Sequence, residues 1–149
     1  MAAILMTICA VCLLIVLVVW SRRSKARHEI EQYSITPEDL QALFASHQEV
    51  LLFDVRLPLD LLAYSEIIPG AKRLAPSEVM ENPSLIPKDK DSIVYCTCPS
   101  DRTSRAILHR VLAMGFLRTK FLRGGLEAWK ASGFPVEPYG KAFHLDTGK

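Results

Sequence analysis

Between Ala2 and Trp20 the chain has no charged side chain. A helix through those residues, rising 1.5 Å per residue, spans about 28 Å, close to the ~30 Å hydrocarbon core of a bilayer. A cleaved signal peptide would place basic residues before the apolar run and a small-residue cleavage site after it. Neither is present, and Arg22, Arg23, Lys25 and Arg27 come after the run instead. Residues 1–21 are therefore read as one transmembrane helix in contact with lipid through residues 2–20, with Trp20 at the interface, and residues 22–33 as a basic juxtamembrane linker. The basic cluster is expected on the cytoplasmic side, which makes this a single-pass membrane protein with its folded part in the cytoplasm.

Cysteine and histidine are scarce, four of each, and they do not recur in the paired spacings that bind zinc, so neither a metal nor another cofactor is implied. Cys9 and Cys12 lie inside the apolar run, where cysteine packs as a small apolar residue. A reducing cytoplasm argues against a structural disulfide between Cys96 and Cys98. Surplus charge is also missing. With the four juxtamembrane cations set aside, 18 basic residues fall to 14 against 16 acidic ones. No basic face remains for nucleic acid.

What is present from residue 34 to 138 is enough for one α/β domain, with a polar tail over 139–149. Thr36-Pro37-Glu38-Asp39 reads as a helix start with a cap, a first-turn proline and two acids that complement the helix dipole; this helix is expected to end near Ser46. Strands are expected near 50–55, 71–75, 92–96 and 119–122, with helices around 59–64, 76–80, 103–114 and 125–132. Strands separated by helices favour a mainly parallel sheet of about five strands, covered by helices on both faces.

The chemistry concentrates in SIVYCTCPSDRTSRAIL, Ser92 to Leu108. Ile93, Val94 and Tyr95 form a buried strand that ends in Cys96, and Arg102 opens an amphipathic helix. Ligands of parallel sheets bind at the carboxyl ends of strands, and a helix amino terminus adds unpaired N–H groups and partial positive charge. Such surroundings can lower a thiol pKa from about 8.5 to roughly 3.5–7.5 and give a thiolate at neutral pH. The histidines at 28, 47, 109 and 144 have no nucleophile near them in sequence and read as solvated or capping residues.

Around this segment stand Asp54-Val55-Arg56 at the end of an apolar strand, Ile68-Pro69-Gly70-Ala71, and Gly124-Gly125-Leu126-Glu127-Ala128-Trp129 before a closing Gly133-Phe134-Pro135. In this order and spacing, residues 34 to 138 resemble the rhodanese family of sulfurtransferases. The resemblance implies that Cys96 is the catalytic cysteine, taking sulfur from a small anionic donor such as thiosulfate, holding it as a persulfide and passing it to a thiol or cyanide. Thr97, Cys98, Ser100, Asp101 and Thr103 would line an anion-binding loop, and Arg102 would pair with the donor. Asp54, Arg56, Gly124, Gly125 and Trp129 would be structural.

The chain departs from the family at two places. The family loop is rich in glycine and has four residues between cysteine and arginine, whereas Thr97 to Asp101 are five and contain no glycine. Five is the spacing of the protein tyrosine phosphatase signature, which leaves a phosphatase or arsenate reductase as an alternative. Pro99 costs that loop a donor, and Tyr95 replaces the histidine that phosphatases carry before the cysteine. The family's Gly-His-Ile-Pro-Gly-Ala reads Glu66-Ile67-Ile68-Pro69-Gly70-Ala71 here. A third alternative is a non-catalytic module that uses the fold to recruit a partner to the membrane, since fold alone does not fix function.

Overall fold

The computed structural model describes residues 2–97 and 101–140, which fall into two compact units divided between Tyr33 and Ser34. The first is a single helix, α1 (Ala2–Gln32), so the basic stretch expected as a linker continues the helix of the apolar run. Val11 and Leu13 to Trp20 are exposed, and because these apolar residues are consecutive they surround the helix instead of forming one stripe. Side chains in this helix are described from Val11 onward, apart from 26, 27, 29 and 30. Among the described residues no helix is long and apolar enough to cross a membrane. The described apolar stretch, Val11 to Trp20, would span only about 15 Å, half a bilayer core. The expected transmembrane helix is thus not supported by the described residues.

The second unit begins with β1 (Ser34–Ile35), too short to announce itself in sequence, and α2 (Pro37–Ala45). Thr36 caps α2 as expected: its Oγ1 accepts from the Asp39 N–H at 3.1 Å and donates to Asp39 Oδ2 at 2.8 Å. There follow β2 (Leu51–Asp54), α3 (Pro58–Ala63), β3 (Glu66–Ile67), β4 (Lys72–Arg73), α4 (Pro76–Glu81), β5 (Ser92–Tyr95), α5 (Arg102–Leu112), β6 (Thr119–Leu122), α6 (Gly125–Ala131) and β7 (Glu137–Pro138). Five strands form a sheet in the order β1-β6-β5-β2-β4, with every pairing parallel. A separate antiparallel pair, β3 with β7, had no counterpart in the hydropathy pattern.

Strand alternation sends side chains to opposite faces. Leu52, Ile93, Tyr95 and Leu122 pack on one face with Leu40 of α2 and with Leu126 and Trp129 of α6. Phe53, Val94 and Phe121, one residue out of phase, are buried on the other face, which α5 covers with Ile107, Leu108 and Val111. Trp129 is fully buried: its ring meets Phe44 edge-on at 6.0 Å and Phe134 at 4.8 Å, and its Nε1–H donates to the Pro135 carbonyl at 2.8 Å. The closing Gly133-Phe134-Pro135 segment is thereby fastened to α6 by both apolar burial and a hydrogen bond.

Candidate active site

The cysteine's position follows from the order of strands. β5 is the middle strand, its four residues are all buried, and Cys96 comes directly after it with 1% of its surface exposed. Register sets Asp54 of β2 opposite Tyr95, and the Val55 N–H donates to the Tyr95 carbonyl at 2.9 Å, so Val55 runs beside Cys96. On the other side the Leu126 N–H of α6 donates to the Cys96 carbonyl at 3.1 Å. The cysteine backbone is therefore held from both flanks at the carboxyl edge of the sheet.

The Gly-Gly turn exists because of that approach. Gly125 has φ +54°, and a Cβ on it would lie 1.9 Å from the Cys96 carbonyl oxygen, a distance no side chain can occupy. Gly124, at φ +71°, lies close under Ala128, whose Cβ would be 2.6 Å from one built on the glycine. Only glycine meets both the steric and the conformational condition.

Across the loop, Asp101 holds the N-cap position of α5 in the left-handed region, φ +53°, a conformation that aspartate tolerates better than most residues. An aspartate at this position ordinarily accepts from the second or third N–H of its own helix. Here it makes no such bond; its Oδ2 accepts from the Gly124 N–H at 2.9 Å instead. Burial raises its pKa, while the Gly124 hydrogen bond and the charges of Arg105 and Arg123 pull it back down.

Behind the cysteine lies a buried polar cluster. Arg56, with 0% of its surface exposed, donates from Nε to both Asp54 oxygens at 3.0 and 2.9 Å, and from Nη2 to Oδ2 at 2.5 Å. Its remaining donors reach the carbonyls of Tyr64 at 2.7 Å and Glu66 at 2.9 Å, so one guanidinium joins β2 to the start of β3. The Tyr95 hydroxyl donates to Asp54 Oδ2 and accepts from the Ile68 N–H, both at 3.3 Å. Burial raises the Tyr95 pKa far above that of a free phenol, and the hydroxyl stays protonated. Tyr95 thus secures the Ile68-Pro69-Gly70 segment, where the family's histidine is missing.

The expected site residues separate into three groups. Cys96, Thr97, Asp101, Gly124 and Gly125 come together at the sheet edge. Arg102 is exposed on the first turn of α5 and Thr103 is half-buried beside it. Cys98 and Ser100, with Pro99, lie outside the described residues. Asp101, expected among the anion-binding residues, instead turns its carboxylate to Gly124. Asp54, Arg56 and Trp129 occupy the structural positions just described, out of solvent. Three hydroxyls are buried without a partner among the described residues: Thr97 Oγ1, an expected loop residue next to the cysteine, and two not singled out from sequence, Ser104 Oγ at the third position of α5 and Thr119 Oγ1 at the start of β6. Ser104 could have been found from its spacing with Ile107, Leu108 and Val111, which puts it on the buried face. Among the described residues no cluster of His, Cys, Asp or Glu could hold a metal ion. A cavity of about 290 Å³ is present at the amino ends of the strands, lined by residues that include Ile35, Leu43, Val50, Ile93 and Lys120, and none of its lining belongs to the cysteine loop.

A parallel sheet whose middle strand leads into a held cysteine, ahead of a helix amino terminus, defines a class of α/β proteins with a cysteine at the carboxyl edge of the sheet. Within that class the chain belongs to the rhodanese-like domain family, which matches residues 36–132. It is 33% identical over 102 residues to a sulfurtransferase of Allochromatium vinosum, an alignment covering 68% of this chain and 92% of the relative. A rhodanese-related protein of Thermoplasma volcanium superposes with a TM-score of 0.58 at 26% identity, covering 70% of this chain and 97% of that one. A thiosulfate sulfurtransferase of Pseudomonas aeruginosa shares the fold, with a TM-score of 0.61 at 24% identity, over 74% of this chain and 21% of that much longer one.

Proposed function

We propose that this protein is a sulfurtransferase that carries sulfur as a persulfide on Cys96. The observation that carries the reading is the placement of Cys96 at the carboxyl end of β5, its carbonyl accepting from the Leu126 N–H, ahead of the amino terminus of α5. The Allochromatium vinosum relative supports the same chemistry. With thiosulfate as donor, the Cys96 thiolate attacks the outer sulfur, the sulfur–sulfur bond of thiosulfate breaks, and sulfite departs with the electron pair. A thiol or cyanide then attacks the outer sulfur of the persulfide and Cys96 leaves as thiolate; cyanide becomes thiocyanate. The charge on the outer sulfur would be met by backbone N–H groups at the start of α5 and by Arg102.

Intact mass spectrometry after thiosulfate treatment tests this. The expected result is a gain of one sulfur that Cys96→Ser abolishes and cyanide removes. No adduct would favour a non-catalytic binding module. The five residues between Cys96 and Arg102 support a second reading as a phosphatase or arsenate reductase; efficient aryl phosphate hydrolysis that depends on Cys96 and is blocked by vanadate would establish it and overturn the first.

The membrane reading is also ours. It rests on the charge-free sequence from Ala2 to Trp20, on its helical backbone, and on the basic residues that follow. The full chain should stay with membranes through an alkaline wash, and a reporter fused after Lys149 should be active on the cytoplasmic side. Release by the wash would remove the anchor, and export of the reporter would reverse the topology.

A further inference from the structure

At the amino end of the sheet, register brings a lysine to an apolar cavity. α2 stops at Ala45, and His47, at φ +55°, turns the chain so that the Gln48 N–H donates to the Leu43 carbonyl at 3.2 Å. Beyond that stop lies the cavity of about 290 Å³, with Ile35, Leu43, Val50 and Ile93 among its walls. Lys120 of β6 stands opposite Ile93 of β5 and two residues before Leu122, so it shares the sheet face on which Ile93 and Leu122 join the apolar core. Leu122 is wholly buried there, whereas Lys120 lines the cavity and is exposed.

The charge of Lys120 is left over. It makes no hydrogen bond or ion pair among the described residues. The carboxylate beside it, Asp91, is already engaged: Arg118 donates from Nε to Oδ1 and from Nη2 to Oδ2, each at 2.9 Å. The charged residues of the lining are thus Asp91 and Arg118, which neutralise each other, and Lys120, which nothing matches. A lysine stem packs along apolar surface while its ammonium group stays at the rim. Apolar walls with one unmatched cation suit a ligand that has an apolar body and a single anionic end. We propose that this cavity binds a small organic carboxylate, with its hydrocarbon or aromatic part against Ile35, Leu43, Val50 and Ile93 and its carboxylate paired with Lys120 Nζ. The volume corresponds to about ten waters at ~30 Å³ each, room for a ring on a short chain but not for a long lipid chain. The site lies at the end of the sheet opposite Cys96 and is independent of the sulfur chemistry.

The probe is 3-phenylpropionate, titrated at millimolar concentration into the full-length protein in a nonionic detergent and followed by calorimetry. Its amide, 3-phenylpropanamide, has the same body without the charge, and acetate has the charge without the ring. Lys120→Met keeps the stem and removes the charge; Lys72→Met does the same on β4, away from the cavity. The acid should bind wild type and Lys72→Met alike and Lys120→Met about tenfold more weakly, on the scale of one hydrogen bond to a charged group. The amide should show the same loss, and acetate should not compete. In the wild type, which needs no variant to fold, 3-phenylpropionate should protect Lys120 but not Lys72 from acetylation, read by peptide mapping. Equal binding of acid and amide, or undiminished binding to Lys120→Met, would overturn the proposal, because the cavity would then take apolar groups without reading charge. Competition by acetate would reduce the site to a surface cation and overturn it as well. So would an absence of both binding and protection, or a dimer that Lys120→Met dissociates, since a second copy would then occupy the cavity.

Discussion

Arg56 shows how much one buried charge can hold. Its guanidinium neutralises Asp54 and supplies donors to two carbonyls, at Tyr64 just after α3 and at Glu66 in β3. Arg56→Met keeps apolar volume but removes the guanidinium from the Asp54 carboxylate and from both carbonyls, leaving Asp54 only the Tyr95 hydroxyl and the backbone N–H of residue 56. A buried pair broken on one side costs about 3–5 kcal/mol, and urea unfolding followed by Trp129 fluorescence should show a loss of that size. A loss under about 1 kcal/mol would mean that water reaches Asp54 in its place.

The pH response of Asp101 has the opposite sign to that of a salt-bridged carboxylate. Its pKa in the folded chain lies above the ordinary 3.8, chiefly through burial. The folded state therefore binds this proton more tightly than the unfolded state, so the contribution to stability is full below the ordinary value and is lost as pH rises through the raised one. Asparagine has no such proton. The unfolding free energy of wild type minus that of Asp101→Asn should fall as pH rises across that window in parallel urea titrations. A difference that is flat or rises would show that the Gly124 bond and the two arginines outweigh burial.

At the scale of elements, the turn from β6 into α6 is the most constrained. Gly125→Ala must hold a side chain at positive φ, at a cost of about 1–2 kcal/mol, and must also displace the Cys96 carbonyl. Both strain and lost geometry fall on the cysteine. The variant should lose sulfur uptake by intact mass while its far-ultraviolet circular dichroism still shows the fold; full uptake would mean that the turn can shift without moving Cys96. Much of this region was legible beforehand, because a buried strand ending in cysteine, an amphipathic helix and a Gly-Gly turn each leave a local pattern. The Asp101 bond was not legible, since its partner is 23 residues away and the residue was expected to line the anion-binding loop. Tyr95 was read as a strand residue and as the replacement of the phosphatase histidine, and the bond of its hydroxyl was not legible because its partner Asp54 lies 41 residues earlier. The two-residue strands β1, β3 and β7 are shorter than any periodicity can register, whereas β4 falls inside the strand expected near 71–75.

For the whole molecule, the parallel order β1-β6-β5-β2-β4 has a consequence in time. β1 opens the folded unit, yet its strand neighbour among the described residues is β6, and the Arg123 guanidinium donates to the Ser34 hydroxyl across 89 residues of sequence. During synthesis at ~5–20 residues per second, the first strand waits about 4–18 s for its partner to be made. The cysteine-bearing strand β5 likewise exists before β6 can flank it. Until Gly124 to Leu126 are made, the nascent chain carries Cys96 with no Leu126 to bind its carbonyl and no Gly124 to receive Asp101. The residues that hold Cys96 from the α6 side, Gly125 and Leu126, are made only after the cysteine itself, so that flank of it takes its final form late in synthesis.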